Sequence, residues 1–133
     1  MVYERLTDGD EVLFRQIHPS FLQRGEPSSA PFSPTLKDGN KLSVDRSSIT
    51  TATLSHELYK TNGHYSVAVY GVTVGKFEDE KIDCCSDPLE ATDVQKANPA
   101  HAFADYSSHS ANQQKIKAKR LKRKALARGC LHT

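Results

Sequence analysis

Four side chains in two separate stretches are of the types that cleave or transfer phosphoryl groups. Arg15 and His18 close the run VLFRQIH, and His101 and Asp105 bracket HAFAD. Two histidines with pKa values near neutral can share a phosphodiester cleavage, one as base and one as acid. An arginine beside them would steady the charge that develops on the phosphoryl oxygens. Arg15, His18, His101 and Asp105 are therefore the candidate catalytic set, and their chemistry needs no metal. The set forms only if the strands that carry the two pairs lie side by side. Asp45 and Arg46, at the end of a third apolar run, are the remaining polar pair on strand-like sequence. The plainer reading is that a histidine before proline serves a turn and a histidine opening a strand lies at the surface.

Other chemistries find less footing. Six histidines and the adjacent Cys84 and Cys85 supply metal-ligand types, but no CxxC, HExxH or HxH spacing joins them, so no metal and no cofactor are expected. GxGxxG, P-loop and GxSxG patterns are absent. Three cysteines do not make a disulfide framework. With no apolar leader at the start, they lead to the expectation of a reducing cytoplasm. No apolar run approaches the roughly 20 residues that span a bilayer, so no membrane partner is expected.

The strongest compositional signal is KIKAKRLKRKALAR, residues 115–128. Lys115, Lys117, Lys119, Arg120, Lys122, Arg123, Lys124 and Arg128 give this stretch a formal +8 with no acid. The whole chain carries only +2, so the remainder carries −6. These eight are the candidate nucleic-acid-binding residues, because clustered cations displace counterions from a phosphate backbone. The competing reading is a helix that pairs with its own acidic body or simply faces solvent. Good helix formers fill the stretch, Gly129 would end it, and Ser110 or Asn112 would cap it, giving a basic C-terminal helix over about 111–128. Ala118, Leu121 and Ala125 form a thin apolar stripe for docking.

The elements that must position these residues follow from periodicity. At 133 residues the chain reads as one domain over 1–133. Residues 1–10 read as a lead-in with a turn at 7–10. Residues 12–18 and 41–48 read as strands, the second with Leu42 and Val44 inward. Residues 19–40 hold four of the six prolines and read as a long ordered loop. Thr50 or Thr51 would cap a helix over 52–60 whose Leu54 and Leu58 meet the core. Residues 66–74 are apolar on both faces and predict a central strand, with Gly71 at a bulge or a close approach. The segment 76–82 suits a short helical turn, residues 84–99 read as irregular, and 101–106 as a strand feeding the basic helix. The fold class expected is α+β: a small mixed or antiparallel sheet of three to four short strands, one internal helix and the basic C-terminal helix.

VLFRQIHPSF, GEPSSAPFSPT, KLSVDRSSIT and NPAHAFADY, together with the basic stretch, resemble a family of small stand-alone bacterial proteins of about this length. That resemblance implies one compact bacterial domain and no particular chemistry. The order of Arg15 and His18, then strand 42–48, then helix 52–60 is also similar to compact ADP-ribosyltransferase-like folds. The second-strand tyrosine and terminal glutamate of those folds have no counterpart here. Three functions are expected to compete. The first is nucleic-acid binding, RNA foremost, through the basic helix. The second is a small metal-independent enzyme on RNA or a nucleotide, ribonuclease or ADP-ribosyltransferase-like, using Arg15, His18, His101 and Asp105. The third is a non-enzymatic accessory or immunity-type subunit with a protein partner.

Overall fold

The computed structural model describes residues 3–133, so the first two residues of the lead-in lie outside the described part. Five strands build the sheet: β1 (Val12–Ile17), β4 (Lys41–Arg46), β5 (Ala68–Thr73), β6 (Asp83–Ser86) and β7 (His101–Asp105). Their order is β5-β1-β4-β7-β6, and every neighbouring pair is antiparallel. Between β1 and β4 the chain makes a small hairpin, β2 (Leu22–Gln23) with β3 (Glu26–Pro27), and three single-turn 3-10 helices. The helices are α1 (Ala52–Thr61), α2 (Val74–Asp79) and α3 (Ala111–Arg128). The sheet is thus antiparallel and has one or two strands more than expected.

Alternation along each strand assigns the two faces. Leu13, Leu42, Val44, Val72, Cys84, Ala102 and Ala104 point to one face and form the core with Phe32, Phe77 and Tyr106. α3 lies on this face through the expected stripe, since Ala118, Leu121 and Ala125 are fully buried. Ser110 caps its start by accepting from the Gln113 N–H, and Gly129 ends it at φ 93°. The other face carries Phe14, Gln16, Asp45, His101 and Phe103, and α1 covers half of it.

Four local expectations change. Residues 68–73 form an edge strand; the C-terminal tail covers its free side, with bonds between Val69 and both Leu131 and His132. The strand is apolar on both faces because helices cover one face and the tail and α1 cover the other. Gly71 does mark a close approach: a Cβ there would sit 2.6 Å from Val12 and 2.8 Å from Leu131. On α1, Thr51 is the cap, but Leu54 is exposed, and the buried residues are Ser55 and His56. Residues 83–86, of which 84–86 read as irregular, pair with β7 as the opposite sheet edge. In the loop 19–40, Phe32, Pro27 and Pro31 are buried while Leu36 is exposed.

Candidate functional site

Neighbouring strands β1 and β4 pair only at Leu13–Arg46 and Phe14–Asp45. Beyond Phe14 they part, β1 continuing along β5 and β4 along β7. Arg15 stands in this split. Its Nε donates to the Pro31 carbonyl at 2.6 Å and its Nη1 to the Ser43 carbonyl at 3.1 Å, an oxygen that strand pairing with β1 would otherwise have used. Burial lowers the pKa of the guanidinium, against weaker support from Tyr59, Tyr106 and Asp38. Among the described residues no carboxylate pairs with it.

Over the split lies a cavity of about 180 Å³. Its floor is Arg15, Gln16 and Asp45, its roof is the end of α1 at Leu58 and Tyr59, and its far wall is the loop 87–99. A hydrogen-bonded chain fixes the floor. Asn98 donates to Asp45 Oδ1 at 2.8 Å and Ser55 donates to Oδ2 at 2.6 Å. Gln16 donates to the Ser55 hydroxyl at 2.9 Å and accepts from Ser66 at 2.8 Å. The loop is tied to α1 by the bond from Lys96 N–H to Asn62 Oδ1. Sheet, helix and loop are therefore held around one polar hollow, the arrangement expected of a preformed ligand site.

Of the four candidate catalytic residues, Arg15 and His101 line this cavity. Strands β1 and β7 do not pair, because β4 runs between them. The His101 Nδ1 has only acceptors beside it, the Asp87 carbonyl at 3.0 Å and carboxylate at 3.3 Å, so it carries the ring proton. His18 sits at the far end of β1, where its Nδ1 accepts from the Ser20 N–H and caps a 3-10 turn. Asp105 is at the opposite end of β7 from His101 and accepts from the Ser107 N–H. His18 and Asp105 are thus turn and loop-end groups apart from the cavity. Asp45 turns from a strand-end polar residue into the centre of the cavity floor. Gln16, Tyr59 and Asn98 are lining groups that periodicity could not mark.

The eight candidate cations of α3 divide. Lys117 is buried and donates to the Glu80 carbonyl at 2.6 Å, and Arg120 pairs with the Glu80 carboxylate at 3.1 Å. These two fasten α3 to the end of α2, so Lys117 is not a phosphate-facing group. Lys115, Lys119, Lys122, Arg123, Lys124 and Arg128 make no ion pair among the described residues, and all but the half-buried Lys122 are exposed. Lys119, Lys122 and Arg123 border a groove whose other bank is Gln23, Ser28 and Ser29. Lys124 and Arg128 border a second hollow with Lys76 and Thr73. No group of three or more His, Cys, Asp or Glu among the described residues is placed to hold a metal ion. No helix among them is long and apolar enough to cross a membrane.

No protein-family model, curated protein or solved structure matches this chain.

Proposed function

We propose that this protein binds nucleic acid, RNA foremost, through phosphate contacts along α3. The observation that supports the reading is the lack of ion pairs on six of the eight helix cations. A basic helix that served only to balance its own acidic body would have its charges opposite carboxylates; here, among the described residues, Glu80 alone plays that part. From residue 115 to 128 the helix rises about 20 Å, the length of roughly six steps of a nucleic-acid strand at 3.4 Å each. Lys115, Lys119, Lys122 and Arg123 share one flank, so a strand lying along it would meet four cations. The hydroxyls of Ser28 and Ser29 and the Gln23 amide across the groove are further phosphate-contact types. Backbone contacts of this kind position a nucleic acid without reading its sequence, so binding should tolerate sequence changes.

The triple variant Lys119→Glu, Lys122→Glu, Arg123→Glu tests the reading. These side chains are outside the core, so the variant should fold. Each phosphate contact removed should flatten the salt dependence of binding, by about 2 in log–log slope for the three together on a single strand. Lys60→Glu, on α1 at the opposite face, should leave binding unchanged. A triple variant that binds RNA as the parent does would refute the assignment of α3.

A further inference from the structure

The cavity over the β1–β4 split is not part of the α3 surface. It opens on the α1 face of the sheet, and none of its lining residues belongs to α3. We propose that it is a binding site for a small molecule bearing an oxyanion, carboxylate or phosphate, whose head is held by Arg15.

Three observations converge. First, Arg15 has a positive charge in a confined place with only neutral carbonyls as partners. A guanidinium has five N–H donors in a rigid fork, and two of them are used here. Removing such a charge from water is costly unless an anion compensates it, and carboxylates and phosphates match the fork. Second, the charge stands where two strands have parted. An ordinary antiparallel pair would have closed this opening with ladder bonds, whereas Arg15 takes up the Ser43 carbonyl and leaves the rest of its fork free. Third, the hollow above it is built from fixed polar groups. Asp45, Asn98 and Gln16 already hold one another in set orientations, so they can recognise a ligand without being reorganised.

The size and lining restrict the ligand. About 180 Å³ is below the roughly 300–1,000 Å³ common for drug-sized molecules. The walls mix the apolar Phe14, Leu58 and Leu89 with amide and hydroxyl groups and with the charged side chains of Glu90 and Lys96. The Asp45 carboxylate on the floor disfavours a second negative group at that end. A ligand with one anionic head and a short neutral or cationic body fits this layout.

The head group can be tested without knowing the whole ligand. Inorganic phosphate and acetate would be titrated separately into the 15N-labelled protein, observing the Arg15 Nε–H signal and the amides of Gln16, Ser43 and Asn98. The expected result is a saturable shift of these signals with at least one probe, and which probe acts distinguishes a phosphate from a carboxylate head. Arg15→Lys keeps the charge but loses the fork and should weaken the saturable binding about tenfold or more. Leu58→Trp fills the cavity from α1 without touching Arg15 and should abolish it, which covers the case of an Arg15 variant that fails to fold. Phosphate shifts confined to α3, no saturable shift with either probe, or unchanged binding in Leu58→Trp would each overturn the proposal.

Discussion

Glu11 is the residue on which the electrostatics of the sheet end depend. Its side chain is almost wholly buried, yet it takes bonds from Arg46 at 3.1 Å and from the Ser48 hydroxyl at 2.6 Å. Burial alone would raise its pKa, but the bonds from Arg46 and Ser48 outweigh it and hold the carboxyl below its ordinary 4.5. In the unfolded chain the group takes its proton at a higher pH than in the folded one. The contribution is therefore complete at neutral pH and is lost as acid protonates the folded carboxyl. Glu11→Gln should cost about 3 kcal/mol in urea unfolding at pH 7, because it leaves Arg46 without its partner. The difference between variant and parent should shrink as the pH falls below the ordinary 4.5 and through the lowered pKa of the folded carboxyl. Cysteine reactivity divides in the same residue-by-residue way. Cys84 is buried, and burial pushes its thiol up; Cys85 is partly buried and is pushed up for the same first reason. Cys130 is exposed. Mass spectrometry after a short maleimide pulse should find Cys130 labelled first, and Cys84 only in denaturant.

At the level of elements, much was legible where a local signal sufficed. Alternation placed β1 and β4, the Thr50–Thr51 pair marked the start of α1, where Thr51 proves to be the cap, and Ala118, Leu121 and Ala125 gave the docking stripe of α3. Signals that depend on distant chain were not legible. Residues 83–86 form a strand because β7 offers a free edge, and the four residues DCCS carry no alternation of their own. The apolar run 68–73 reads as central since its covering tail, 60 residues on, is invisible to a local pattern. The cavity was hidden for the same reason, as the Asn98–Asp45 bond joins positions 53 residues apart. Gly71 links two such elements. Gly71→Ala should push Leu131 away from β5 and cost on the order of 1–3 kcal/mol by crowding. Hydrogen exchange should show the Leu131 amide losing protection while β1 and β4 keep theirs. A variant with the tail still protected would show that the close approach has slack.

Across the whole molecule, the sheet separates two surfaces of different character. α3 displays cations on one side, and the polar cavity opens on the other. Arg15 touches both layers, since its Nε holds the Pro31 carbonyl in the turn Ala30–Phe32 that packs against α3. The charge imbalance that made α3 conspicuous in sequence, +8 against −6, is not cancelled by ion pairs: among the described residues, Arg120 with Glu80 is the one pair that α3 makes. The candidate catalytic set, by contrast, was legible only as residue types; topology puts a strand between its halves.

The proposed grip of α3 on a phosphate backbone predicts binding that weakens steeply with salt. Fluorescence anisotropy of a labelled single-stranded RNA would be followed between about 50 and 200 mM salt. Four contacts by Lys115, Lys119, Lys122 and Arg123 predict a log–log slope near −2.8, which is about a 50-fold rise in Kd over that range. No binding at the lower salt, or binding indifferent to salt, would contradict the account.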